Sequence, residues 1–217
     1  MPLPEPRTTH RRSSRVLVVK FGGTSVARAS RVRRAARRIA ALRDAGWTPV
    51  VVVSAAGHTT DRLLADLAGV AGSAGHAGAA LVALEPGAIA SSLAAGVVPV
   101  VAGFQGLRAD GEIVTLGRGS SDTSAVFLAC ALGARECHIV TDVRGVYDAD
   151  PRLVPDARFL PELGAGELVA LCEAGAQVVH PEAARRARDG DVALRIHHHL
   201  APIGRRAGTR VVAEAVA

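Results

Sequence analysis

Eleven consecutive residues, Thr115–Ala125 (TLGRGSSDTSA), bring together one cation, Arg118, one anion, Asp122, and five hydroxyls, Thr115, Ser120, Ser121, Thr123 and Ser124, on a stretch of small residues. An apolar run, Ala125 to Leu132, follows directly. A loop that enters a helix in this way turns backbone N–H groups and the positive end of the helix dipole toward an anion. Far upstream, Lys20 is the only lysine among 26 basic residues. It follows the β-branched run Val16–Val19 and precedes Gly22-Gly23-Thr24-Ser25. Two glycines let a backbone turn sharply and approach a ligand closely. A lysine at a strand tip beside them is a mobile point charge suited to phosphate. A surface lysine before an ordinary turn is the plainer reading, and the absence of any other lysine favours the functional one. The order excludes a Walker A loop, in which the lysine comes after the glycines.

Two further stretches sit where α/β sheets bind ligands, just past a strand end. Ser54–Asp61 (SAAGHTTD) follows the run Thr48–Val53, and its His58 reads as a loop histidine rather than a base. Thr141–Arg152 (TDVRGVYDADPR) follows Cys137–Val140 and joins Tyr147 to three carboxylates and two arginines, with little room for helix or strand. Such a loop is either solvated or built for a purine and its phosphates; its place at a strand end favours the nucleotide. His197-His198-His199 lie on a strand, where neighbours point to opposite faces, which argues against a metal site. Cys130, Cys137 and Cys172 have no CxxC spacing and read as buried small residues of a reducing compartment.

The elements that position these residues follow from composition and periodicity. Of 217 residues, 49% are hydrophobic and only 3% aromatic. The core is therefore Val, Leu, Ile and Ala, and the Val-rich runs suit parallel strands of an α/β fold. Strands are expected at Val16–Val19, Thr48–Val53, Val97–Ala102, Cys137–Val140 and Val192–His197, with a closing β segment at Gly208–Val212. Helices are expected at Val32–Leu42 (arginines outward, capped by Ser25 or Ser30), Asp61–Leu67, Ile89–Ala94, Leu160–Cys172 and Glu182–Arg188. Residues 68–80, rich in Gly and Ala, read as a weak helix or a connector. A break at Gly103–Gly106 leads to a hairpin turning at Ala109-Asp110-Gly111, and Gly175–His180 reads as a turn and short strand. Residues 1–15 read as a disordered tail and 16–217 as a single domain.

The net charge of +6 concentrates in the tail and in the Arg28–Arg43 helix. No aromatic stacking platform accompanies it, which argues against a nucleic-acid partner. No apolar run is long enough to span a membrane. The first residues lack the apolar core of a signal peptide, so a cytoplasmic protein is expected.

Taken in order, KFGGTSV (Lys20–Val26), SAAGHTTD, TLGRGSSDTSA, TDVRGVYDADPR and GAQVVHP (Gly175–Pro181) resemble the signatures of the amino-acid kinase superfamily, and of the aspartokinases within it. The resemblance covers Val16 to Val212. It implies a three-layer αβα sandwich with a largely parallel central sheet. It implies transfer of the γ-phosphoryl group of ATP, with Mg²⁺, to the side-chain carboxylate of L-aspartate, giving an acyl phosphate, and a homodimer as the assembly to expect. Lys20 and Asp122 would be catalytic, with Lys20 on the transferring phosphate and Asp122 orienting it. Gly22, Gly23 and Ser54 would cradle phosphates through backbone N–H groups. Thr141, Asp142, Tyr147 and Arg152 would surround the rest of the nucleotide. Arg118 would clamp the substrate α-carboxylate, with Ser121, Thr60 and Ser25 as further substrate contacts, and no protein residue is expected to hold a resident metal.

The departures from the family pattern bear on the acceptor. The substrate lobe, about residues 65–96, is abbreviated and lacks the Gly-Glu pair whose glutamate would hold an amino group. Gln177 stands where an ATP-binding lysine is usual, and Ser120 where a glycine is. Nothing follows residue 217, so regulatory ACT domains are not expected. Two alternatives remain at this point: a kinase of another small carboxylate, or a catalytically weak nucleotide-binding partner subunit.

Overall fold

The computed structural model describes residues 15–55, 86–107, 113–117, 119–201 and 207–212. The β-branched runs become the strands β1 (Val16–Phe21), β2 (Thr48–Val53), β3 (Val100–Ala102), β6 (Glu136–Thr141) and β10 (Ala193–His198). With β9 (Glu162–Gly164) and β11 (Thr209–Val212) they form one seven-stranded sheet, ordered β3-β2-β1-β6-β10-β11-β9. Every pairing is parallel except β10 with β11. Two small antiparallel pairs stand outside it: β4 (Gln105–Leu107) with β5 (Ile113–Thr115), and β7 (Val146–Tyr147) with β8 (Phe159–Leu160).

Alternation along each strand divides the core in two. Leu17, Val19 and Phe21 of β1 pack with Val51, Val140 and with Ile39 and Leu42 of α1 (Ala29–Asp44). Val18, Val50, Val52, Ile139, Leu194 and Ile196 face the other way, against α3 (Ser120–Ala131), α4 (Ala165–Glu173) and α5 (Pro181–Asp189). Ile89 and Leu93 of α2 (Gly87–Ala94) pack on that second side. Each fully buried Val, Leu or Ile contributes roughly 1.5–3 kcal/mol. The three-layer sandwich inferred from the sequence is the fold observed.

Several local expectations are corrected. Leu160 ends β8 and Glu162–Gly164 form β9, and α4 begins only at Ala165, where the Gly164 N–H donates to Glu167 Oε2 at 2.6 Å. The apolar residues there are shared with β11, a partner distant in sequence. Gly175–His180 holds no strand. The Thr141–Arg152 loop contains β7, and the expected break at Gln105-Gly106 is β4. Neither Ser25 nor Ser30 caps α1, whose N-cap is Arg28, because a 3₁₀ turn at Gly23–Val26 intervenes. The arginines of α1 are not all outward, since Arg38 is buried. The predicted helix at Asp61–Leu67, the 68–80 connector, the turn at Ala109–Gly111 and the tail before residue 15 lie outside the described residues.

Under Arg38 the sheet is polar. His197 of β10 is 1% exposed, offers Nδ1 to Arg38 Nη2 at 3.3 Å, and meets His138 of β6 edge to face. Glu136 closes the group, 3.0 Å from Arg195 and 3.2 Å from His138. Burial first, and then the Arg38 and His138 charges, push His197 down to about 3. A histidine in the unfolded chain titrates near 6.5, so between those values the unfolded state binds a proton that the folded state does not. Stability should therefore fall as pH drops from about 6.5 toward 3, by about 1.4 kcal/mol per pH unit. His197→Asn, which keeps an acceptor for Arg38, should flatten that slope in thermal melts taken between about pH 7 and pH 4; an unchanged slope would assign the acid sensitivity elsewhere.

Candidate active site

Lys20 and Asp122 meet where β1 ends and α3 begins. Lys20 points to the α3 side because its neighbour Phe21 takes the α1 side. The Lys20 Nζ to Asp122 Oδ1 distance is 2.7 Å, and both side chains are about nine-tenths buried. Asp122 sits in the first turn of α3, where a carboxylate also complements the helix dipole. Its second oxygen accepts the His180 backbone N–H at 3.3 Å. His180 is the N-cap of α5: Nδ1 accepts the Glu182 N–H at 3.3 Å and lies 3.4 Å from Thr123 Oγ1. The sequence reading gave His180 no role. The signal was the following Pro181, which marks position N1 of a helix and makes the residue before it the cap.

The helix start depends on Gly119, the N-cap of α3, at φ 74°. A β-carbon there would stand 2.8 Å from His180 Cδ2. Ser120 Oγ donates to the Gly117 carbonyl, and Ser124 Oγ donates to the carbonyls of Ser120 and Gly103. Ser120, in place of a glycine, is thus absorbed by the turn and does not crowd it. Ser121 is buried beside Gly103, at the end of β3.

The phosphate cradle differs from the expected one. The Gly22 N–H donates to the Val140 carbonyl and the Ser54 N–H to the Phe21 carbonyl, both at 3.0 Å, so neither is available for a phosphate. These two amides serve the sheet instead, because each directly follows a paired strand. The amides left for an anion are those of Gly23 and Thr24, in the first turn of the 3₁₀ segment, where no intrahelical acceptor exists. Ser25 also departs from expectation. It is 2% exposed, donates Oγ to the Val140 carbonyl at 3.4 Å, and lines a pocket on the α1 face rather than the Lys20–Asp122 side.

The remaining candidates lie on the segment after β6. Thr141 Oγ1 donates to Asp142 Oδ1 at 3.2 Å. Tyr147 stands edge to face with Phe159, and the Arg144 guanidinium covers the Phe159 ring at 4.8 Å. Arg152 is exposed and forked onto Asp150, whose carboxyl its hydrogen bonds hold below the ordinary range. Thr209 Oγ1 anchors the β7–β8 pair by accepting the Val146 N–H and donating to the Leu160 carbonyl. Arg118 and Thr60 lie outside the described residues. Among the described residues no three His, Cys, Asp or Glu side chains cluster closely enough to hold a metal ion, and no helix is long and apolar enough to cross a membrane.

The model of the amino acid kinase family matches residues 15–84 and 67–198. An aspartokinase of Thermus thermophilus is 37% identical over an alignment of 226 positions, which covers 83% of this chain and 56% of that protein. The chain thus spans little more than half the length of that relative. A solved aspartate kinase from Synechocystis superposes with a TM-score of 0.76 at 34% identity, over 93% of this chain and 40% of that one. Aspartokinase III of E. coli, solved in complex with aspartate and ADP, shares the fold with a TM-score of 0.72 at 23% identity, over 92% of this chain and 65% of that one.

Proposed function

The chain belongs to the amino acid kinase family, and from that premise we propose that it transfers the γ-phosphoryl group of ATP to the side-chain carboxylate of L-aspartate. The observation that carries the proposal is the buried Lys20–Asp122 pair, set between the Gly22-Gly23 turn and the N-terminus of α3. The relatives named aspartokinase supply the acceptor, and the E. coli relative holds aspartate and ADP.

In the proposed reaction a carboxylate oxygen of the acceptor attacks the γ-phosphorus, the bond to the β-phosphate oxygen breaks, and ADP leaves with the electron pair. The protein's work is alignment and charge neutralisation. Asp122 fixes the Lys20 ammonium at the strand tip. Lys20 then stabilises charge on the phosphoryl oxygens without reorganising, because the pair is already desolvated. The amides of Gly23 and Thr24 and the first turn of α3 add fixed dipoles. Mg²⁺ would neutralise phosphate charge when bound; Asp122, the carboxylate beside Lys20 among the described residues, fits an ion held mainly by substrate oxygens and water. Tyr147, Thr141, Asp142 and Arg152 form the nucleotide side of the site, and Arg118 with Ser121 and Thr60 the acceptor side. The reading extends to a cytoplasmic homodimer, and none of its three cysteines is in a disulfide.

A coupled ADP-release assay with hydroxylamine trapping tests the proposal: a hydroxamate should form with aspartate, ATP and Mg²⁺ together, and its absence sinks the reading. The missing Gly-Glu pair favours a second reading, another small carboxylate as acceptor, which the same assay reveals with a panel of acids. Arg118→Ala should raise the acceptor KM by about ten- to a hundredfold, the worth of one charge-assisted clamp, and leave the ATP KM nearly unchanged. Equal changes in both would remove the clamp assignment.

A further inference from the structure

The segment after β6 leaves the main sheet, so its own small ladder must be held from outside. β7 and β8 have only 2 residues each, and a ladder so short is not stable by itself. Its outer end is solvated: the Asp148 N–H donates to the Arg158 carbonyl at 3.1 Å, beside an Asp148–Arg158 ion pair whose arginine is exposed. Such pairs hold little. Tyr147 rests edge to face on Phe159, next along the ladder. The inner end is different. Val146 and Leu160 face each other there, and the Thr209 hydroxyl bridges them. It accepts the Val146 N–H at 2.8 Å and donates to the Leu160 carbonyl at 2.6 Å. A hydroxyl can do both at once. Thr209 is 0% exposed and opens β11, opposite Ile196 of β10. The loop approaches it closely: a β-carbon on Gly145 would stand 2.5 Å from Thr209 Oγ1 and 2.8 Å from Phe159 Cε2.

One side chain, 63 residues beyond Val146, therefore joins this ladder to the main sheet. A buried donor or acceptor stripped of its partner costs the desolvation of that group, so the hydroxyl fixes where the ladder sits. Tyr147 lies on the ladder, and Thr141, Asp142 and Arg152 lie on the chain to either side of β7. On the reading of Thr141–Arg152 as the nucleotide side of the site, we infer that Thr209 is a positioning residue for ATP. It holds β7 and β8, and with them Tyr147, in the arrangement that receives the nucleotide, without touching the nucleotide itself. A ladder that must be re-ordered on binding lowers affinity by the cost of ordering it. The Lys20–Asp122 pair is held separately, by β1, α3 and the His180 amide. Loss of the hydroxyl should thus appear in ATP affinity and not in the chemical step.

Calorimetric titration of the intact chain with MgATP tests this in wild type, Thr209→Val and Thr209→Ser. Valine keeps the shape without the hydroxyl; serine keeps the hydroxyl. The Kd should rise about tenfold or more in Thr209→Val, the worth of two buried hydrogen bonds, and stay within about twofold of wild type in Thr209→Ser. In the coupled assay Thr209→Val should raise the ATP KM and leave kcat and the acceptor KM within about twofold. Amide exchange of Val146, measured without nucleotide, should quicken in Thr209→Val and not in Thr209→Ser. Gly145→Ala covers the case of a Thr209→Val chain that fails to fold. It pushes the loop off an intact hydroxyl and should weaken MgATP binding to a similar extent. If wild type binds MgATP and a folded Thr209→Val or Gly145→Ala chain binds it equally well, the positioning role is overturned and the nucleotide reading stands. A Thr209→Val chain that loses kcat and raises both KM values together overturns it too. Wild type without saturable MgATP binding removes the nucleotide reading, and the role of Thr209 with it.

Discussion

Lys20→Met is expected to lower kcat/KM for phosphoryl transfer by about a thousandfold or more, the scale on which removal of a preorganised charge acts in a desolvated site. Methionine keeps most of the side-chain volume and removes only the ammonium. The same substitution should cost about 3–5 kcal/mol of stability, because the Asp122 carboxylate is left buried without its cation. The two effects separate in a double variant. Lys20→Met/Asp122→Leu has no charge to bury and should regain most of the stability in a urea titration, yet stay inactive. A Lys20→Met enzyme within tenfold of wild type, or a double variant that recovers activity along with stability, would remove Lys20 from the chemistry.

Gly119→Val ranks second. At φ 74° a β-branched residue is a genuine backbone outlier, and here the first added carbon also stands 2.8 Å from His180. Strain of this kind costs about 1–3 kcal/mol by itself. The displaced His180 carries the N–H bound to Asp122, so activity should fall further than stability alone explains. Gly133 supplies the control: its φ is 63° and a β-carbon there meets nothing within 4 Å. Gly133→Val thus reports strain without the clash. Melting temperatures of the two variants should differ, and only Gly119→Val should depress kcat. Equal behaviour would show that the His180 contact is not transmitted to the site.

The parallel strands were legible because continuous Val runs have few other uses, and so was the loop-then-helix carrying Asp122, because hydroxyls and glycines before an apolar run mark a helix start. What escaped was set by partners distant in sequence. The start of the expected Leu160–Cys172 helix becomes strand because Leu160 pairs with β7 and Glu162–Gly164 with β11. The amides of Gly22 and Ser54 look free in a glycine-rich loop, but they extend the hydrogen bonding of β6 and β1. Arg38 reads as solvated by its residue type, whereas its spacing from Ala35 and Leu42 turns it inward, where the polar side chains of β10 and β6 make room for it beneath α1. Ser25 belongs to a motif with Lys20, yet the 3₁₀ turn at Gly23–Val26 sends its side chain to the α1 face, away from Lys20.

The strand order carries a consequence for how the chain reaches this state. β1 is flanked by β2 on one side and β6 on the other, with Leu17 facing Pro49 across one ladder and Glu136 across the second. The first ladder closes over one crossover through α1; the second waits for the far longer segment between β1 and β6 and for its closure entropy. Until then the strand that carries Lys20 has one bare edge, Val-rich and open to pairing with another molecule. The Lys20–Asp122 pair spans that same late junction, since Asp122 arrives with the segment that leads into β6. Recovery of activity after denaturation should therefore track the slowest refolding phase, and losses to aggregation should come before it.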